Sequence, residues 1–206
     1  MHFRVYLSDM NTRGYVMRAR ADAVEETRRR ILTAVWQLGL EAASMEIVLG
    51  DVADRAGVTV RTVLRHFGSK DGLFAATQDF VSAELLEERG VPAPGDTRAA
   101  VTAVFDEYED VGDWVITMLG QENTVPDVRR MTDRGRSMHR EWVRAVFGPR
   151  LPADGSGDEV LDLLVVATDV YTWKLLRRDR GLDRDAAERR VDALVRAVLA
   201  DPTREG

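Results

Sequence analysis

The stretch Asp51-Val52-Ala53-Asp54-Arg55-Ala56-Gly57-Val58-Thr59-Val60-Arg61-Thr62-Val63-Leu64-Arg65-His66-Phe67 holds the densest arrangement of residue types with a chemical use. Ala53 is small enough for two helices to touch at its position. Four residues later Gly57 permits the positive φ that a sharp turn requires. Thr59 then offers a side-chain oxygen to the free N–H groups that begin a second helix. Val52, Ala56, Val58 and Val63 form the apolar side of such a pair, and Arg61 and Arg65 carry guanidinium forks suited to bidentate contact with phosphate or carboxylate. This is the spacing of a helix-turn-helix, and its chemistry is non-covalent recognition. Downstream, Ser69 is placed to cap another helix, whose first amides together with Lys70 suit an anion. Upstream, Arg28, Arg29 and Arg30 open a supporting helix, and any one of them is equally well read as part of a solvated face.

No second constellation points to catalysis. The chain has no cysteine, which removes disulfides, thiolate metal sites and cysteine nucleophiles together. His2, His66 and His139 are dispersed without metal-ligand spacing, and Gly68-Ser69-Lys70 lacks the upstream glycine of a phosphate-binding loop. Asp154-Gly155-Ser156-Gly157-Asp158 faintly resembles an ion loop but is more simply a connector. The expectation is a protein that is not an enzyme, with no cofactor and no metal.

The elements that position these residues are almost all helical. Val24, Ile31, Val35 and Leu38 recur at helical spacing over 23–40. Further helices are expected over 47–56, 60–66, 70–88, 97–119, 126–147, 158–179 and 185–200. Val91-Pro92-Ala93-Pro94-Gly95-Asp96 breaks the pattern, because two prolines and a glycine cannot continue a helix. The fold class is therefore all-α. Residues 1–20 are expected as a flexible N-terminal arm, 21–75 as a three-helix DNA-binding module and 76–202 as a larger helical domain. No apolar run approaches the length of a membrane span, so a cytoplasmic protein is expected, without a membrane partner. The formal net charge of −6 is unevenly spread, since residues 1–75 hold 11 Lys+Arg against 9 Asp+Glu. The acidic balance belongs to the rest of the chain.

From Arg28 through Leu73 the chain resembles the DNA-binding module of the TetR/AcrR repressors. The resemblance rests on Ile31-Leu32, on Val52-Ala53-Asp54-Arg55-Ala56-Gly57-Val58, and on Thr62-Val63-Leu64-Arg65-His66-Phe67-Gly68-Ser69-Lys70-Asp71-Gly72-Leu73. It implies a repressor that holds a palindromic double-stranded operator as a homodimer and is released by a small-molecule effector. Arg28, Thr59, Val60, Arg61, Thr62, Arg65, His66 and Lys70 are the implied DNA-contacting residues. Arg61 suits guanine O6 and N7, Val60 or Thr62 a thymine methyl, and His66 is read as packed or phosphate-facing before base-reading. In two places the chain departs from the family, which usually has tyrosine at Leu64 and threonine at Val48, both phosphate contacts. Losing such contacts weakens binding without changing the sequence read. A helical small-molecule-binding protein with weak or degenerate DNA binding is therefore the alternative.

Behind Pro94 the large side chains Phe105, Tyr108, Trp114, Met118, Met138, Trp142 and Tyr171, with His139, are the candidate lining of a pocket for a hydrophobic or aromatic effector. Gln121, Asn123 and Arg140 are further polar candidates. Taken singly, each of these side chains reads more readily as core than as pocket lining, and only the set points to a ligand. Leu163, Leu164, Ala167 and Tyr171, and then Val191, Leu194, Val195 and Val198, lie at three- and four-residue steps. Periodicity alone leaves open whether these stripes face the chain's own core or a second copy, and the resemblance implies a dimer interface. Thr168 through Gly181 is also similar to a helix found in many members of the family.

Overall fold

The computed structural model describes residues 6–42, 47–153 and 155–200. It is a succession of helices, with no strand among the described residues. Contacts along the backbone divide it into two compact units, one up to Val81 and one from Ser82. The division falls inside a helix, where 75/76 was the boundary expected from sequence.

The first unit begins with α1 (Tyr6–Ala42), followed by α2 (Leu49–Ala56), α3 (Val60–Phe67) and α4 (Lys70–Arg89), whose last turns lie in the second unit. Ile31, Leu32, Ala34 and Val35 of α1 are buried with Ile47, Val52, Ala53, Ala56, Val63 and Leu73 in one core. Residues 6–20, expected as a flexible arm, are instead the opening turns of α1, since Gly14 is the one strong helix breaker among them and a single glycine is tolerated. Residues 1–5 lie outside the described residues. Val24 is not part of the core stripe; it is 55% exposed, on a stretch of α1 that precedes the residues the core covers.

The second unit contains α5 (Thr97–Gln121), α6 (Pro126–Phe147), α7 (Gly157–Ala167), α8 (Val170–Lys174), which continues as a π-helical turn over Leu175–Asp179, and α9 (Arg184–Leu199). Asp96 caps α5 by accepting from the Ala99 N–H at 3.0 Å, and Asp183 caps α9 through the Ala186 N–H at 2.7 Å. Phe105, Phe147, Leu161, Leu164 and Trp173 are almost wholly buried in a second core.

The helix expected over 158–179 is broken in the middle. Asp169 takes an extended conformation (φ −72°, ψ 152°) and accepts from the Tyr171 N–H at 2.8 Å, so that it caps a new helix instead of extending the old one. The Thr168 hydroxyl turns back onto the Leu164 carbonyl at 2.8 Å. Asp and Thr both compete with the helical backbone for its hydrogen bonds, and here they win although the apolar period runs on through them.

Candidate functional site

The turn between α2 and α3 forms as its residue types require. Gly57 sits at φ 65°, and Val58 donates its N–H to the Ala53 carbonyl at 2.9 Å, closing the C-terminus of α2. Thr59 is extended and accepts from the Thr62 N–H at 3.2 Å. Its hydroxyl is also 3.0 Å from the Thr62 hydroxyl. Thr59 and Thr62 are thus occupied with each other, and Thr62 is only partly exposed. Both were expected at the DNA; locally, both serve as the cap of α3.

What α3 leaves in the open is Val60, Arg61, Leu64 and Arg65, all exposed. These four fall on one arc of the helix, opposite the buried Val63. Among the described residues neither Arg61 nor Arg65 meets a carboxylate, whereas Arg55 on α2 is held by both oxygens of Glu41 at 2.8 Å each. His66 is half-buried, its ring 6.0 Å from that of Phe67, which fits the packed reading. The guanidinium of Arg28 lies 5.0 Å over the Phe67 ring, which positions a cation behind α3 without neutralising it.

The connection from α3 to α4 is as tightly specified as the turn before it. Gly68 has φ 77°, and the Ser69 hydroxyl accepts from the Gly72 N–H at 3.0 Å. A Cβ on Gly72 would stand 2.3 Å from the Phe67 carbonyl oxygen, so only glycine permits this approach. Sequence reasoning counted Gly72 within the family resemblance but gave it no steric role, because its helical position gives no sign that its neighbour is a backbone atom. Lys70 is exposed at the start of α4, with its ammonium 5.4 Å from the Phe74 ring centre.

Within the second unit the polar groups converge on Arg89. Its Nε donates to Glu107 at 2.5 Å, in an ion pair whose side chains are 6% and 13% exposed. The guanidinium lies 5.0 Å from the ring centre of Trp142 and 5.8 Å from that of Tyr108. A second guanidinium nitrogen is 3.2 Å from His139 Nδ1. Arginine can only donate, so Nδ1 accepts, and the ring proton resides on Nε2, 3.1 Å from the Thr168 hydroxyl. Burial, helped by the charge of Arg89, pushes the His139 pKa down to about 3, so the ring is neutral. It stacks on Trp142 at 15°, and the Trp142 indole donates to the Gly90 carbonyl at 2.7 Å. Burial raises the Tyr108 pKa. Neither Arg89 nor Glu107 was picked out from the sequence; both read as ordinary surface charges.

Of the expected pocket residues, Tyr108, His139 and Trp142 meet in this cluster. Phe105 and Met118 are buried apolar side chains, and Trp114 and Met138 are half-exposed. Tyr171 does not join them: the α7–α8 break turns it outward, and it is 53% exposed. Arg140 is paired with Asp162, Asn123 accepts from Arg129, and Gln121 donates to the Thr117 carbonyl, so these polar candidates are engaged elsewhere. The residues read as a dimer stripe divide. Leu164, Ala167, Val191 and Val195 are buried in the core of their own chain and have no surface to offer a partner, while Val198 is half-buried against it. Leu163 and Leu194 remain exposed, as do Tyr171, Val166 and Leu175.

Residues 35–77 match a family model described as bacterial regulatory proteins, tetR family. No curated protein sequence matches the chain. Among solved structures, a transcriptional regulator of Rhodococcus sp. Rha1 is similar with a TM-score of 0.63 at 19% identity, covering 84% of this chain and 95% of that one. A TetR transcription regulator of Haloarcula marismortui has a TM-score of 0.59 at 16% identity, covering 84% of this chain and 98% of that one. At such identities the structural likeness speaks to the fold, and the similarity to the tetR family is carried by the matched N-terminal residues. The capped α3 and its glycine-bounded turns lie within the matched residues, so this N-terminal part of the chain is similar to bacterial regulatory proteins of the tetR family.

Proposed function

We propose that the chain is a repressor that binds a palindromic operator as a homodimer in the cytoplasm and releases it when a small hydrophobic or aromatic molecule binds the second unit. The observation that carries the DNA half of this reading is the open arc of α3, where Arg61 and Arg65 meet no carboxylate among the described residues. An unpaired guanidinium on a short, capped helix is ready for guanine edges or phosphate, at no cost in ion pairs broken. Base reading falls to Val60, Arg61 and Arg65, with Arg28 and Lys70 toward phosphate. The exposed Leu163, Val166, Tyr171, Leu175 and Leu194 support the dimer, since large apolar side chains left at a surface favour a partner that covers them.

The effector reading rests on the cluster around Arg89. This residue ends α4, the helix whose first turn follows α3, and it is held by Glu107, Tyr108, Trp142 and His139 from α5 and α6. A ligand that binds better when this cluster is rearranged lowers operator affinity by linkage, to the extent of its differential affinity for the two arrangements. The reading is tested by titrating the full chain against a labelled duplex from the region upstream of its own gene and against a scrambled duplex, over a range of salt concentrations. Tight binding to the first alone, weakened by about one to two orders of magnitude in Arg61→Ala, is the expected result. Equal and weak binding to both would instead favour the ligand-binding protein, for which the apolar Leu64 and Val48 on the exposed surface are the supporting observation.

A further inference from the structure

The open arc of α3 contains two kinds of group and no others. Arg61 and Arg65 are charged; Val60 and Leu64 are aliphatic and each 38% exposed. The two side-chain hydroxyls at the start of the helix are turned on each other, since Thr59 and Thr62 lie 3.0 Å apart and the Thr59 oxygen also caps the Thr62 N–H. There is no acidic residue in Val60–Phe67, and charge complementarity makes a duplex the occupant of this face. Within a major groove the one apolar group on a base edge is the C5 methyl of thymine. Leu64 is four residues beyond Val60 on the same side of the helix, a rise of about 6 Å. That distance is close to two base-pair steps of about 3.4 Å.

We propose that Leu64 is a specificity residue and that it continues with Val60 an aliphatic row covering thymine methyls about two steps apart in each half-site, beside the bases addressed by Arg61. The proposal rests on the reading of the chain as a sequence-specific DNA-binding protein. It gives the apolar residue at position 64 a positive role in place of a lost phosphate contact. A methyl transferred from water to an aliphatic surface is worth about a fourfold change in affinity, and two such contacts multiply. Replacing the methyl by hydrogen leaves every hydrogen-bonding group of the base in place, so the effect is separable from that of the arginines.

The test begins with selection of duplexes from a random-sequence library by the full-length protein. The enriched duplex is then resynthesised with deoxyuridine in place of thymidine at one position at a time, and affinities are measured by anisotropy. The expected result is two responsive positions per half-site, each losing about fourfold. Leu64→Ala then abolishes the response at one of them and Val60→Ala at the other. Because Leu64 is exposed, its truncation leaves the core intact, and an unchanged circular dichroism melt verifies this. An enriched duplex indifferent to loss of every methyl, or a Leu64→Ala protein that keeps both responses, overturns the proposal alone. A library from which no sequence is enriched overturns the DNA-binding reading and the proposal with it.

Discussion

Arginine is put to opposite uses in the two units. On α3 Arg61 and Arg65 are exposed and meet no carboxylate among the described residues, and the residues around them are apolar or already capped. In the second unit nearly every prominent guanidinium is committed: Arg89 to Glu107, Arg136 to Glu122, Arg177 to Glu109, Arg178 to Asp113 and Arg184 to both Asp106 and Glu188. The latter pairs tie α5 to the π-helical turn after α8 and to the start of α9. The recognition face of α3 keeps its cations available to an outside polyanion, while the second unit uses its own to hold helices in register. Net charge, summed along the chain, conceals that division.

The largest effect that would sharpen the contrast comes from breaking the most buried pair. Arg89→Leu leaves the Glu107 carboxylate largely out of water with no counter-charge, and unfolding free energy is expected to drop by about 3–5 kcal/mol. Denaturant melts of this variant and of the double variant Arg89→Leu/Glu107→Leu check this. Recovery of most of the loss in the double variant is expected; an undiminished single variant would show that the pair is not a buried commitment.

Arg61→Ala is expected to leave the melt unchanged and to cost about 1–3 kcal/mol of specific DNA binding, with operator affinity followed against salt. Arg178→Ala, which removes a guanidinium committed to Asp113, is expected to leave operator affinity alone. If both variants affected DNA equally, the division of labour between the units would be wrong. Gly72→Ala comes next, because its Cβ would press on the Phe67 carbonyl. A loss of about 1–3 kcal/mol in the thermal melt, with little loss of helicity, is expected.

The smallest effect is acidic. Hydrogen bonding from Arg177, reinforced by the Trp173 indole, holds the Glu109 pKa down to about 2. A depressed carboxyl stabilises the fold above its unfolded value near 4.5 and loses that contribution as pH falls toward 2. His139, depressed to about 3 from 6.5 chiefly by burial, acts in the same direction over a wider span, because the unfolded ring takes up a proton that the folded one refuses. Stability is thus expected to decline from about pH 7 downward. Glu109→Gln should flatten the part of the melting-temperature profile below pH 4.5 and spare the part above it. A flattening at neutral pH would refute the assignment.

The two units also differed in how far they could be read from sequence. The turn at Gly57, the cap at Thr59 and the core at Ala53 and Val63 are local constraints, each written within a few residues of its effect. The cluster in the second unit joins Arg89, Glu107 and His139 from three different helices, and nothing near any of them announces the others. The helix break at Thr168-Asp169 was hidden for another reason: apolar residues keep their period on both sides, so the stripe looked continuous although the backbone was not. The same continuity placed Tyr171 in the expected pocket lining and Leu164 in the expected dimer face. Periodicity shows that a side is apolar but not what covers it.

The seat of Trp142 has an optical consequence. Its indole is stacked on the neutral ring of His139, lies beside the Arg89 cation and donates to the carbonyl of Gly90, the residue that follows α4 directly. An indole's emission colour and yield follow the dipoles and charges at its faces. Trp142 is therefore a native chromophore at the end of α4, and its fluorescence can register a disturbance of that helix terminus without any attached label.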